Sequence, residues 1–78
     1  MKTMTCKQLG GACDLTFSAE SFEEIAELSK RHGMEMFEQK DVAHLKMMAK
    51  MKQMAEKPGA FETWMDEKKA LFDSLPHQ

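Results

Sequence analysis

Residues 14–25, with the sequence DLTFSAESFEEI, cover the point at which a strand pattern gives way to the start of a helix. Leu15 and Phe17 fall on one side of an extended chain, with polar residues between and after them, which is typical of a half-buried strand. Ser21 then begins a capping box, because its hydroxyl is placed to accept the amide proton of Glu24 while the Glu24 side chain reaches back. We therefore predict a strand in the first part of this stretch and a helix that begins just after Ser21.

The residues before this stretch favour a second strand rather than another helix. Residues 1–19 are poor in helix formers and carry β-branched and aromatic residues on either side of Gly10 and Gly11. A glycine pair between two such runs is typical of the turn of an antiparallel hairpin. We predict a first strand over 2–6 that pairs with a second strand over 14–18.

The first predicted helix runs from Phe22 to about Phe37. At 100° per residue, one side of this helix combines apolar residues with His32 and Gly33, whereas the opposite side is mainly glutamate. Gly33 is a candidate C-terminal cap, but Met36 and Phe37 continue the apolar stripe beyond it. His32 is therefore expected to face the core.

Two further helices follow. Asp41 is suited to cap a helix over 42–56, whose apolar face is mostly methionine and lies opposite its lysines. The members of this methionine face are His44, Met47, Met48, Met51, Met54 and Ala55. Pro58 and Gly59 end the second helix, and a third is predicted over 60–74. The apolar residues of the third helix are Phe61, Trp64, Met65, Leu71 and Phe72.

These elements predict an α+β fold, in which a short N-terminal two-stranded antiparallel hairpin packs with two or three helices. The chain has 78 residues, of which 42% are hydrophobic, and this is enough for one compact core. We therefore expect a single domain over 1–78. Within it, the helical segment 38–78 completes the core begun by the hairpin and helix of 1–37.

Charge and composition exclude several classes of function. The formal net charge of -2 provides no positive field for nucleic acid or anionic lipid. The longest apolar run, residues 47–49, is far too short to span a bilayer. A core this small leaves little room for a ligand cavity of ~300 Å³ or more, so no small-molecule substrate is evident. Two cysteines and no signal-like apolar stretch near the start favour a soluble protein of the reducing cytoplasm.

Cys6 and Cys13 are the first candidates for chemistry. The residues between them include the glycine pair, which puts both cysteines at the neck of the predicted hairpin. Cross-strand partners have Cβ atoms ~5 Å apart, a separation that suits either a disulfide or two thiolates on one zinc ion. The alternative is that both side chains are small buried hydrophobic groups.

Simple lengths place a histidine at the level of the cysteines. A strand leaving Cys13 rises ~17 Å over five residues, and a helix beginning at Ser21 returns by about the same distance to reach His32. His44 becomes a fourth candidate ligand if the second helix turns back. If the two helices form one rod, His44 instead lies ~18 Å from His32. Each histidine has the alternative of packing in the core.

The N-terminal half resembles a known protein family. The segments CKQLG from Cys6, CDL from Cys13 and ESFEEI from Glu20, together with His32, are similar to the predicted small metal-binding proteins of domain-of-unknown-function family 1059. The pattern of that family has two cysteines with a glycine between them, an aspartate after the second cysteine, paired glutamates at a helix start and a histidine near the end of that helix. The resemblance implies metal binding and no particular reaction.

Cys6, Cys13, Asp14 and His32 match this pattern position by position, over about the first 35 residues. A second family histidine falls on Phe37 in this chain. The resemblance therefore requires His44 or Asp14 to replace it as a ligand.

The leading hypothesis is a small metal-binding protein with Cys6, Cys13 and His32 as ligands and His44 as a conditional fourth. Zinc or another thiophilic metal is expected, with zinc as the default cofactor because thiolate and imidazole together suit it. The role of such a site is expected to be structural. We predict no enzyme, since the sequence has no Ser-His-Asp arrangement, phosphate loop or paired-carboxylate site, and its cysteine spacing is not that of a dithiol redox motif.

The alternative hypothesis is a helical protein–protein interaction module or homodimer, with the cysteines as core residues. Here the methionine face of the second helix, or the aromatic face of the third, receives a partner or a second copy. The residues in question are Met47, Met48, Met51, Met54 and Trp64. Core packing is the competing explanation for both faces. A copper(I) site at Met47, Met51 and Met54 is a third hypothesis, based on thioether softness.

Overall fold

The computed structural model describes residues 1–77 and has the predicted α+β architecture. In chain order its elements are strand β1 (Lys2–Thr5), a single 3₁₀ turn (Lys7–Leu9), strand β2 (Thr16–Ala19) and helices α1 (Phe22–Glu38), α2 (Val42–Ala55) and α3 (Ala60–Ser74). Both strands and all three helices lie within two residues of their predicted bounds, whereas the 3₁₀ turn was not predicted. None of the helices in residues 1–77 is both long enough and apolar enough to cross a membrane.

The hairpin places one side of β2 in the core. The two strands pair antiparallel, with Lys2 opposite Ala19 and Thr5 opposite Thr16. Phe17 and Ala19 are buried, whereas the residues that alternate with them are exposed. The expected burial of Leu15 is wrong, because this residue precedes β2, lies outside the core cluster and leaves 49% of its surface exposed.

The core lies between the hairpin, the start of α1 and the end of α3. Its buried apolar members are Met4, Cys6, Phe17, Ala19, Phe22, Ile25 and Phe72. Phe72 meets Phe22 edge-on at 6.0 Å between ring centroids. The ammonium group of Lys2 lies over the Phe72 ring, 5.0 Å from its centroid, so β1 also contacts α3.

Helix α1 begins at the predicted cap and continues through Gly33. The Ser21 hydroxyl accepts a hydrogen bond from the Glu24 N–H at 3.2 Å. His32 is buried on the core side, as predicted. The extension of the apolar stripe to Phe37 is wrong, since this side chain is 63% exposed. Twelve residues at 100° each turn Phe37 about 120° away from Ile25, which faces the core.

A sharp reversal separates α1 from α2. Lys40 adopts a left-handed conformation with φ of 57°, and Asp41 caps α2 by accepting the N–H of His44 at 3.0 Å. Helix α2 lies entirely within the described residues, and the one side chain that it buries is that of His44. The methionines of its predicted face are half-buried. Hydrophobic packing therefore fixes α2 less firmly than α1.

Candidate metal centre

The two cysteines lie close together at the end of the hairpin, although they are not opposite each other. The Cys6 N–H donates to the Leu15 carbonyl at 2.8 Å, and the Lys7 N–H donates to the Cys13 carbonyl at 3.0 Å. The expectation that the cysteines are cross-strand partners is therefore wrong, because Leu15 holds that place. The 3₁₀ turn and the loop after it carry Cys13 back towards Cys6, and their sulfur atoms lie within 4.8 Å of each other.

Gly11 makes this close approach possible. A Cβ atom placed on Gly11 would overlap the Cys6 Sγ atom, and the Gly11 N–H donates to the Cys6 carbonyl at 2.8 Å. The thiol of Cys6 thus occupies the space in which any other residue would carry its side chain. Gly11 therefore has a second role besides its place in the turn, which is to make room for the sulfur atom of Cys6.

The two histidines reach the same point from two helices. His32 Nε2 lies 3.3 Å from Cys13 Sγ, and His44 Nε2 lies 3.6 Å from Cys6 Sγ. The imidazole rings of His32 and His44 meet edge-on at 5.1 Å between centroids. One donor atom from each of the four residues lies within 4.8 Å of all the others. The predicted convergence of Cys6, Cys13 and His32 is confirmed, and the reversal at Lys40 brings in His44 as well.

The cluster is largely shielded from solvent. Cys6, His32 and His44 are buried, and Cys13 is half-buried. Phe17 packs against the His32 ring at 5.7 Å between centroids. A cavity of about 220 Å³ adjoins Cys6 and both histidines. The other side chains lining this cavity include Met47, Met48 and Met51.

Asp41 orients one of the imidazoles. Its carboxylate accepts a hydrogen bond from His44 Nδ1 at 2.5 Å, in addition to the backbone N–H that it caps. The bond fixes the proton on Nδ1 and leaves Nε2 free to bind a metal, as carboxylate partners of metal-binding histidines do. Sequence reasoning identified Asp41 only as a helix cap. The signal that it missed was the aspartate three residues before a histidine at a helix start.

The pKa values of Cys6, Cys13 and His44 shift in different directions. Burial raises the pKa of the Cys6 thiol, whereas the Leu15 backbone N–H lowers the pKa of Cys13. The hydrogen bond to Asp41 raises the pKa of His44 and lowers that of the Asp41 carboxyl. A metal ion binds thiolate and neutral imidazole, so binding at this cluster would release protons.

Several other candidate residues lie outside the cluster. Asp14 is exposed and pairs with Lys7 at 3.3 Å, so the structure brings His44 and not Asp14 to the fourth position.

Met54 lines a separate hollow beside Pro58 rather than the cavity of Met47 and Met51. In the part of the chain that the structure describes, the three thioethers proposed for copper(I) thus do not line one common cavity. The Trp64 ring stacks on Phe61 at 6.0 Å between centroids, where it is half-buried.

The donor set and its spacing suit a tetrahedral metal ion. Zinc–sulfur bonds of ~2.3 Å and zinc–nitrogen bonds of ~2.0–2.1 Å imply donor-to-donor distances of roughly 3.3–3.8 Å in a tetrahedral shell. The distances from His32 Nε2 to Cys13 Sγ and from His44 Nε2 to Cys6 Sγ, 3.3 Å and 3.6 Å, fall in that range. Cys6, Cys13, His32 and His44 therefore form a group that could hold one metal ion.

Comparison of the chain with protein-family models, curated protein sequences and solved structures gave no match. The functional assignment consequently depends on the geometry and chemistry of this cluster.

Proposed function

We propose that this chain is a zinc-binding protein, in which Cys6, Cys13, His32 and His44 hold one Zn²⁺ ion. The observation that carries the proposal is the approach of four donor atoms, two sulfur and two imidazole nitrogen, to within 4.8 Å of one another. Thiolate and imidazole together select zinc from the common divalent ions, whereas calcium and magnesium require oxygen ligands.

The role that we propose for the ion is structural rather than catalytic. Four protein donors complete a tetrahedral shell and leave no position for water or substrate. The ligands come from the hairpin, α1 and α2, so one ion would join three separate segments. The similarity of residues 6–32 to the predicted small metal-binding family supports the same proposal. The thiolates would remain available in a reducing compartment such as the cytoplasm.

Elemental analysis of the full chain, purified without added metal, tests the proposal. We expect about one zinc per chain, because structural Cys₂His₂ sites bind zinc tightly at neutral pH. The variant H44A should lose most of this zinc. The matched control is H77A, which removes an exposed histidine that contacts the N-terminus and Glu20 instead of the cluster.

A second control is D14A, which removes the other candidate for the fourth ligand. H77A and D14A should both retain one zinc per chain. Wild-type protein without bound metal, which also fails to take up Zn²⁺ when it is added, would contradict the proposal. Equal zinc content in H44A and H77A would remove His44 from the ligand set.

A further inference from the structure

The two sulfur atoms of the candidate metal centre are close enough to form a bond with each other. They lie within 4.8 Å, so Cys6 Sγ and Cys13 Sγ have to approach by less than ~3 Å to reach bonding distance. The Lys7 N–H donates to the Cys13 carbonyl at 3.0 Å, and the Gly11 N–H donates to the Cys6 carbonyl at 2.8 Å. Because these bonds already hold the two cysteine backbones together, a disulfide requires side-chain rotation rather than refolding of the loop.

The two cysteines differ in their access to solvent. Cys6 is a member of the core cluster and is 3% exposed, whereas Cys13 is half-buried at the edge of that cluster. A small oxidant dissolved in water therefore reaches Cys13 before it reaches Cys6. The chain has two cysteines, so Cys6 is the one thiol of the same chain that can react with an oxidised Cys13. An accessible cysteine beside a second thiol is the usual arrangement of redox-sensing sites.

A disulfide at this position would remove two of the four metal donors without replacing the connection that they make. It would lie within residues 6–13, whereas His32 belongs to α1 and His44 to α2. The two imidazoles that remain do not complete a tetrahedral shell. Within the described residues, His44 is the one side chain that α2 buries, so release of the ion would free this helix from the hairpin.

We propose that the candidate metal centre is a redox switch, in which a hydroperoxide oxidises Cys6 and Cys13 to a disulfide and thereby releases the zinc ion. This inference rests on the proposed zinc-binding function, because zinc holds both cysteines as thiolates. Disulfides in a reducing compartment are usually transient, so cellular thiols would reduce this one and restore the site.

The oxidation takes place in two steps. The Cys13 thiolate attacks one oxygen of the hydroperoxide, so that an S–O bond forms, the O–O bond breaks and the departing alkoxide or hydroxide takes up a proton. The Cys6 thiolate then attacks the Cys13 sulfur, so that the S–S bond forms, the S–O bond breaks and the departing hydroxide takes up a second proton. Two thiolates are oxidised to one disulfide, and one hydroperoxide is reduced to water and an alcohol, or to two waters when it is hydrogen peroxide.

Treatment of the zinc-loaded full chain with hydrogen peroxide tests this proposal. We expect a chain that is lighter than the reduced, metal-free chain by two hydrogen atoms, with one zinc ion released for each disulfide formed. Intact-mass spectrometry and a zinc-binding dye measure the two quantities. Dithiothreitol should restore both the mass and zinc binding, because thiols reduce a disulfide but not methionine sulfoxide. Hydrogen exchange of the α2 amides should become at least about tenfold faster in the oxidised chain.

The matched control addresses the thioethers that line the cavity beside the centre, which peroxide also oxidises. The triple variant M47L/M48L/M51L removes them and leaves both cysteines in place. It should release zinc at a rate within about twofold of the wild type, since exchange of methionine for leucine nearly conserves volume. Release from the wild type but not from this variant would overturn the proposal, because methionine oxidation would then be the cause.

The oxidation product provides a second way to contradict the switch. Zinc release that is accompanied by sulfinic acid, or by a disulfide between two chains, would overturn the proposal. Elemental analysis before oxidation keeps this result separate from the test of the metal site. A chain that never binds zinc would contradict both proposals, whereas a chain that binds zinc and retains it in peroxide would contradict the switch alone.

Discussion

Cys13 is the candidate ligand that best separates a metal-binding role from a packing role. Its side chain is half-buried, so it contributes less to the core than the buried Cys6 does. We predict that C13S lowers the melting temperature by more than about 10 °C in zinc-loaded protein, because it removes the stabilisation by a tightly bound ligand. In metal-free protein the loss should be only a few degrees. Differential scanning calorimetry measures both values, and equal losses would show that Cys13 only packs.

Gly11 offers a test of the sulfur position itself. The variant G11A places a methyl group where the Cys6 Sγ atom lies, so the thiol must move away from the other donors. We predict that zinc affinity falls at least about tenfold, since ligand placement within a fraction of an ångström governs such sites. A competition titration with a zinc-binding dye measures the change.

The matched control for this variant is G33A, on helix α1. The nearest side-chain atom to a Cβ at Gly33 is Met48 Cε at 3.9 Å, an ordinary contact. Alanine should stabilise the helix by up to about 1 kcal/mol and leave zinc affinity unchanged. A G11A protein that binds zinc as tightly as G33A would show that Cys6 is not a ligand.

Asp41 allows the orientation of His44 to be tested apart from the helix cap. Asparagine caps helices as well as aspartate does, but it cannot supply the carboxylate that accepts the His44 Nδ1 proton. We predict that D41N keeps the helical content and loses about 10- to 100-fold in zinc affinity. Calorimetric titration and circular dichroism measure the two properties. Unchanged affinity would mean that the negative charge of Asp41 does not support metal binding, because the asparagine oxygen can still accept the Nδ1 proton.

The individual ligands differed in how far the sequence could predict them. The rise per residue of a strand and of a helix was enough to predict that His32 lies at the same height as Cys13. Both values are properties of the backbone alone. The position of His44 depended on the chain reversal at Lys40. The backbone there is left-handed although the residue is not glycine, so the sequence carries no signal for the reversal. The second function of Gly11 was not predictable, since it depends on the rotamer of a side chain five residues away.

At the scale of elements, α2 is the segment whose order should depend most on metal. The one side chain it buries, within the described chain, is His44, whereas α1 buries Phe22 and Ile25 against the hairpin. We predict that zinc slows hydrogen exchange of the α2 amides at least about tenfold more than that of the first turns of α1. Exchange measured by mass spectrometry on zinc-loaded and metal-free protein tests this. Equal protection of both helices without metal would show that packing alone holds α2.

The elements themselves were largely predictable, because local signals mark them. Capping residues Ser21 and Asp41 begin two helices, and Pro58 with Gly59 separates the second from the third. Burial was less predictable at the ends of elements. Leu15 and Phe37 both extend an apolar pattern, but Leu15 lies before β2 and Phe37 is turned away from the core side of α1, so both are exposed. The apolar pattern of one element does not show how much of that element its neighbours in space will cover.

At the scale of the whole molecule, a metal ion held at the candidate metal centre would compensate for a small core. Among the described residues, seven apolar side chains are buried, drawn from the hairpin, α1 and α3. Domains below about 70–80 residues commonly need an additional constraint such as a disulfide or a structural metal. The two cysteines are free, and the cluster they form with His32 and His44 is the feature that would tie α2 to this core.

The central claim, one Zn²⁺ held by two sulfur and two imidazole donors, is tested most directly by X-ray absorption at the zinc edge of the zinc-loaded full chain. This measurement reports both the type of donor and its distance from the metal. We predict two sulfur atoms at ~2.3 Å and two nitrogen atoms at ~2.0–2.1 Å, with imidazole outer-shell scattering. A shell of nitrogen and oxygen donors without sulfur, or one that includes only a single sulfur, would contradict the account.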